Sequence, residues 1–351
     1  MTPMKNWWWK ILGMLLLIYG FTAGLLLPLK TGITDASPFT AELGKSLELR
    51  SSGYNTFYTQ SDTHRAWLKL DDYSIPAKEY SVSSDQGMVL YFDLPEKLPA
   101  GIEERNATLI IDNEIDGTHL LPGAVYLNDL KDSVSNTNTV WSENAIKELN
   151  KQEGITFPYR NTLYETIRNT YFHVSLWFAM IIIFIAGMVN SINYLKKRKM
   201  DYDHRASSFT SVGILFGILG LLTGAVWAKH TWGAYWSWDI KQNMTAISLL
   251  IYLAYFVLRA SISDVDKKAR LASVYNIFAF TALIPLIYVI PRLFSSLHPG
   301  NGGNPAFGSQ DLDNTMRMIF YPIIIGWTLF GWWMARVRTR TKILEEKVNQ
   351  F

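Results

Sequence analysis

The stretch from Trp227 to Lys241 reads Trp-Ala-Lys-His-Thr-Trp-Gly-Ala-Tyr-Trp-Ser-Trp-Asp-Ile-Lys, and its first twelve residues hold four Trp and a Tyr. Such a plate of ring faces, closed by an acid, suits a large flat apolar ligand whose polar edge stays near water. If the stretch is helical, Trp232, Tyr235, Trp236 and Asp239 fall at i, i+3, i+4 and i+7 on a single face. The competing reading is an aromatic belt, because Trp and Tyr gather at membrane interfaces without binding anything. That reading suits Trp7, Trp8, Trp9, Trp332 and Trp333. Belts scatter their rings among helices, however, and do not pack them into one loop. Asp239 has a second role open to it, since a carboxylate in the first turn of a helix stabilises that end by roughly 0.3 to 1 kcal/mol.

Histidine supplies the other chemistry. The chain contains no Cys, which removes thiolate ligands, disulfides and the Cys-x-x-Cys-His run of covalent haem attachment. A neutral imidazole nitrogen is then the side-chain ligand best suited to haem iron. Of six His, His204 falls on a basic turn and His64 and His119 in a polar stretch, where surface or core roles are the default. His173, His230 and His298 stand at the ends of apolar segments, on one side of the membrane. A lone interfacial His is more often a satisfied polar residue than a ligand. Two of them flanking an aromatic plate, His173 and His298, point to axial ligation of a planar macrocycle, with His230 ranked below both. Lys229, Lys241, Arg292 and Arg317 are candidates to meet carboxylates on such a ligand, and pairing with lipid phosphate is their competing role.

The elements that must position these residues are membrane helices. Hydrophobic residues make up 49% of the 351 and charged residues only 18%, which excludes a plain soluble enzyme. The net charge of +3 is too small to argue for nucleic acid. Six apolar stretches, near 11 to 28, 173 to 195, 208 to 228, 243 to 259, 272 to 292 and 316 to 335, are long enough to cross a bilayer as helices. The first is expected to be a retained anchor rather than a signal peptide, because no small-residue cleavage site follows closely. Basic residues cluster at 196 to 205, at 267 to 270 and at 336 to 347, which puts both chain ends in the cytoplasm and residues 29 to 172 outside. The expected localisation is therefore a membrane, with the soluble domain on its external side.

That external stretch is of domain size. Met88 to Leu94 and Ala107 to Asp112 read as strands, with turn signals at Asp85-Gln-Gly and Asp116-Gly. Residues 141 to 152 and 158 to 172 read as helical, the latter running toward the second membrane segment. Asn106-Ala-Thr fits a glycosylation acceptor. The expected fold is an all-α polytopic membrane protein of six transmembrane helices, with a mainly-β soluble domain inserted between helices 1 and 2. Its expected divisions are an anchor at 1–28, the external domain at 29–170, a five-helix membrane domain at 171–340 and a tail at 341–351.

Together these residues resemble the CcmC family, haem-handling membrane proteins of cytochrome c maturation that carry a tryptophan-rich WWD signature. Trp232-Gly233-Ala-Tyr235-Trp236-Ser-Trp238-Asp239 is similar to the signature, preceded by Thr223-Gly-Ala-Val-Trp227. Tyr171-Phe-His173-Val, followed by Trp177, resembles a family stretch that carries one haem ligand, and Leu297-His298 resembles the pair that carries the other. Tyr235 stands where Trp is customary, Ser175 where Pro is, and Lys241 where Arg is common. The inserted domain is a larger departure, since the family's first external loop is short. The resemblance implies a carrier, not an enzyme. It would hold haem b non-covalently between His173 and His298 on the WWD plate, and deliver it to the haem chaperone CcmE. It also implies the CcmA/CcmB ABC transporter and a small CcmD-like subunit as partners.

Competing readings remain. A haem-ligating synthase like CcsA or CcmF would be larger, with further His inside its segments. A permease would carry ionisable groups at mid-membrane. A membrane-anchored receptor would not need six helices. The run Gly300 to Pro305 beside His298 reads as a flap through which a chaperone could reach haem, so that changing Gly302 and Gly303 to Ala would slow transfer.

Overall fold

The computed structural model describes residues 7–129, 139–161, 163–298 and 312–348. It contains two compact units, Leu27–Glu165 and the membrane unit made of Met1–Leu26 with Thr166–Phe351.

Among the described residues, six helical spans are long and apolar enough to cross a membrane: Trp8–Leu26, Tyr164–Lys197, Met200–Trp232, Ile240–Ala260, Val265–Arg292 and Asn314–Val348. Their regular α-helices are α1 (Trp8–Leu26), α2 (Ser175–Lys197), α3 (Met200–Trp232), α4 (Ile240–Ala260), α5 (Val265–Ile284) and α6 (Asn314–Val348). The third and sixth run well past the apolar stretches that announce them. Their extra turns carry charged residues at the end of the helices where Lys and Arg concentrate, which an apolarity criterion leaves out.

Local signals set the boundaries. Arg198 ends α2 in the left-handed region, its N–H bonded to Tyr194 O at 2.8 Å. Asp264 caps α5 by accepting from Lys267 N at 2.6 Å. Pro322 sits within α6, where the lost backbone bond is tolerated among packed helices.

A seam of glycines on α3 lets side chains of α2 and α4 approach it closely. A Cβ on Gly213 would lie 2.5 Å from Phe184, on Gly217 2.4 Å from Leu249, on Gly220 2.7 Å from Trp177, and on Gly224 2.6 Å from His173. Positions spaced three or four apart share one helix face, so this face of α3 is a bare groove for large rings. The core of the membrane unit continues through Met180, Ile183, Phe216 and Tyr252, with the Phe184 and Tyr252 rings stacked at 3.8 Å.

The inserted unit is a β-sandwich. Its strands are β1 (Gly32–Ser37), β2 (Thr40–Glu42), β3 (Ser46–Tyr54), β4 (Arg65–Leu70), β5 (Tyr73–Pro76), β6 (Glu79–Ser84), β7 (Gly87–Asp93), β8 (Asn106–Asn113), β9 (Gly117–Asn128) and β10 (Ser142–Glu143). One sheet is ordered β1-β3-β7-β6 and the other β10-β5-β4-β8-β9-β2. Alternate residues turn inward, so Leu47, Leu49, Leu90 and Phe92 of one sheet meet Leu68, Leu109, Ile111 and Val125 of the other. The two strands and both turns read from the sequence fall in β7, β8 and the hairpins before β7 and β9.

The helix expected at 141 to 152 does not form. Ser142–Glu143 is a short strand, Asn144 and Glu148 adopt positive φ of 49° and 52°, and the backbone is claimed by tertiary partners. Asn150 N–H donates to Asp112 Oδ1 at 2.8 Å, Thr118 N–H donates to Asn150 O at 3.1 Å, and Arg65 donates to Glu148 O at 2.6 Å. Residues 164–174 are helical and lead into α2 as a 3-10 turn, Tyr164–Arg168, and a π turn, Thr170–Val174. The Gly300 to Pro305 run lies outside the described residues.

Candidate functional site

His173 sits in the π turn Thr170–Val174, a geometry that recurs where a helix must re-aim a functional side chain. Its Nδ1 contacts Gly220 O at 2.9 Å and Thr223 Oγ1 at 3.1 Å. The Thr223 hydroxyl itself donates to Leu219 O, so both neighbours of Nδ1 are acceptors and the proton is on Nδ1. Nε2 is then the lone-pair nitrogen, and the Trp177 indole N–H donates to it at 3.2 Å. Trp227 crosses the same imidazole edge-on at 5.9 Å between ring centres, and its buried indole N–H has no acceptor among the described residues.

The tryptophan-rich stretch is not the single helical face that its spacing allows. Trp232 is the last residue of α3, and Gly233 stops the helix at φ 83° with its N–H on Lys229 O. Residues 233–239 then run in an irregular link, with Trp238 at φ 56°, until Asp239 caps α4. The link is pinned from α4. Gln242 Oε1 accepts from the N–H and hydroxyl of Ser237 at 3.0 and 3.1 Å, and the Asn243 amide donates to Trp238 O at 2.8 Å. Trp232 and Trp236 are half-buried while Tyr235 and Trp238 stand exposed, so the rings do not form one continuous plate.

Asp239 gathers the second half of the site. Its carboxylate accepts from Lys241 N–H at 2.8 Å, Ser296 Oγ at 3.0 Å, Leu297 N–H at 2.8 Å and His298 Nδ1 at 2.8 Å. Burial works against its charge, yet the Ser296 and Leu297 donors hold its carboxyl below the usual carboxylate range. Burial likewise pushes the His298 imidazole down, beyond what the Asp239 charge restores. The contact is therefore a neutral ring donating to a carboxylate rather than an ion pair. Trp232 lies edge-on to His298 at 4.7 Å. No hydrogen bond among the described residues engages Nε2 of His298.

The other histidines are placed apart. His230 is exposed in the last turn of α3, His204 pairs with Glu346 at 2.7 Å, and His64 and His119 are buried in the sandwich. Lys229 donates to Gly233 O at 2.9 Å and lies 5.9 Å from the Tyr235 ring centre. A groove of about 760 Å³ between α3 and α6, lined by Val212, Trp333 and Lys342, lies toward the far end of α3 from Trp232. Sequence reasoning missed Gly220, Thr223, Gln242 and Ser296. Thr223 was legible as part of the Thr223-Gly-Ala-Val-Trp227 run, whereas Ser296 carries no signal beyond lying two residues before His298.

The fold and site define a multi-pass membrane protein with two imidazoles held, each by its Nδ1, beside a Trp-rich link. The profile described as Heme exporter protein C matches residues 155–351, and the chain belongs to that family, the CcmC-type membrane proteins of cytochrome c maturation. It is 28% identical over 191 residues to Heme exporter protein C of Bradyrhizobium diazoefficiens, covering 52% of this chain and 69% of that protein. The protein of the same name from Paracoccus denitrificans is 26% identical over 183 residues, covering 52% and 76%. A shorter likeness, 40% identity over 70 residues, links it to Cytochrome c biogenesis protein CcsA of Pelargonium hortorum, covering 20% of this chain and 22% of that one.

Proposed function

We propose that the protein carries haem b, bound non-covalently, with Nε2 of His173 and of His298 as the axial donors. Trp227, Trp232, Tyr235, Trp236 and Trp238 would supply ring contacts, Gly233 the turn that presents them, Asp239 the anchor of His298, and Trp177 the neighbour of the His173 ligand nitrogen. The single observation that carries this reading is the matched commitment of the two imidazoles. Each gives its Nδ1 proton to an oxygen, Gly220 O at 2.9 Å or Asp239 Oδ1 at 2.8 Å, which leaves Nε2 as the donor atom for iron. The donor set fits haem: two neutral nitrogens, aromatic walls, no thiolate, and, beside His173, the indole N–H of Trp227, which has no acceptor among the described residues. Haem is cargo here, and the chain makes and breaks no covalent bond in handling it.

The names of the relatives support delivery of haem into cytochrome c biogenesis. CcmE is the proposed acceptor, with a CcmA/CcmB transporter and a CcmD-like subunit as neighbours. The concentration of Lys and Arg at 196–205, 267–270 and 336–347 supports an inner-membrane protein with both ends in the cytoplasm and the His pair, with residues 29–170, on the periplasmic side.

The test is the absorption spectrum of the detergent-purified protein, oxidised and reduced, beside His173→Ala and His298→Ala. A low-spin b-type spectrum in the wild type, lost or turned high-spin by either substitution, is expected. No haem uptake after haem addition with CcmE and CcmA/CcmB, or a spectrum indifferent to both substitutions, overturns the reading.

A further inference from the structure

We infer that Trp177 is a displaceable cap on the ligand nitrogen of His173 and keeps that ligand reversible; the inference rests on the ligation proposed above. Nδ1 of His173 faces only acceptors, Gly220 O and Thr223 Oγ1, so Nε2 is the acceptor nitrogen. The group that fills it is the Trp177 indole, which can only donate. The two rings are one helical turn apart and meet edge-on, 6.0 Å between centres and 80° between planes. The indole is seated against bare backbone, since a Cβ on Gly220 would lie 2.7 Å from its Cε2 and 3.2 Å from its Nε1.

One lone pair cannot serve an indole N–H and an iron at once. Loading therefore requires the indole to leave Nε2, and unloading lets it return. The indole N–H stabilises the freed nitrogen, so an imidazole without that donor would hold iron harder. Trp177 is thus a positioning residue acting through His173. Its N–H lowers the cost of letting haem go.

The test uses the full-length protein in detergent, loaded with ferric haem, with apomyoglobin as the haem trap. Trp177→Phe keeps a ring but removes the donor. It is expected to slow haem release about 2- to 10-fold, the value of one neutral hydrogen bond, while the low-spin spectrum persists. Release at the wild-type rate or faster overturns the inference. A second readout needs no haem affinity: the indole ¹⁵N–¹H resonance of Trp177, assigned by its loss in Trp177→Phe, should shift in apo His173→Ala and on haem addition. A resonance indifferent to both overturns the inference as well. If His173→Ala leaves the haem spectrum unchanged, the ligation reading itself fails and takes this inference with it. A spectrum altered by His173→Ala, with wild-type release in Trp177→Phe, sinks the cap alone.

Discussion

Nδ1 of His298 and Oδ1 of Asp239, 59 residues apart in the chain, meet at 2.8 Å and join the two loops that carry the site. The same carboxylate caps α4 through Lys241 N–H. One side chain thus fixes the start of a helix and the tautomer of an imidazole. Asp239→Ala removes both. The cap is worth about 1 kcal/mol of helix stability, and loss of a second partner behind a metal-binding His typically costs about 10- to 100-fold in affinity. Ferric haem titration of the variant should show a weakening of that size with a high-spin component; affinity within twofold of wild type would mean that His298 needs no carboxylate behind it.

Gly224 tests the glycine seam. A methyl group there would sit 2.6 Å from Cε1 of His173, with Nδ1 at 3.2 Å, so the ring must move. Its two hydrogen bonds to α3 are short and direct and would be lost with the shift. Gly224→Ala is expected to cost about 1–3 kcal/mol of stability through overpacking and to convert the low-spin spectrum to mixed spin. A wild-type spectrum and melting temperature would show that the seam is looser than the contact implies.

The sandwich should be sensitive to acid. Burial pushes His119 down to about 4, and its Nε2 meets the Tyr58 hydroxyl at 2.9 Å. Unfolded, the ring titrates near its ordinary value of about 6.5. The folded state therefore binds fewer protons between those values, so this contribution is present above about pH 6.5 and is lost as pH falls toward 4. The loss amounts to ~3 kcal/mol when complete. Asp112 acts in the same direction at lower pH, because hydrogen bonds from Thr118 and Arg65 outweigh burial and lower its carboxyl pKa. Hydrogen exchange of β8 and β9 in the intact protein should accelerate between pH 6.5 and 4 once corrected for intrinsic rates. His119→Gln should flatten that slope, and an unchanged slope would remove His119 as its source.

How much of this was legible beforehand divides along physical lines. Membrane helices are written in long runs of apolar residues, and β7 and β8 in short runs of β-branched and aromatic residues bounded by turn signals, so both could be read directly. Residues 141–152 could not, because Asp112 and Arg65, distant in sequence, take their backbone groups and override local helix propensity. The site shows the same split. His173, His298 and Asp239 are rare residue types at segment ends and stand out. The irregular path of 233–239 depends on one positive-φ glycine and on amides reaching back from α4, which spacing alone does not encode.

At the opposite end of α3 and α4, Asp203 and Arg259 form a bidentate pair at 2.6 and 2.7 Å, with Arg259 also donating to Tyr255 Oη at 3.3 Å. Asp203 is buried. Breaking such a pair leaves an uncompensated charge and costs about 3–5 kcal/mol, whereas replacing both members by apolar residues is often neutral. Asp203→Asn should therefore lower the melting temperature in detergent far more than the double change Asp203→Leu with Arg259→Met. Haem affinity should separate from stability here. The link that carries Trp232 to Trp238 is held by Gln242, Asn243 and Asp239, one helix length away, so folded Asp203→Asn should bind ferric haem within about twofold of wild type. A large loss of affinity in protein that is still folded would mean that the α3–α4 brace transmits to the His298 end, and that the two ends of this helix pair do not act independently.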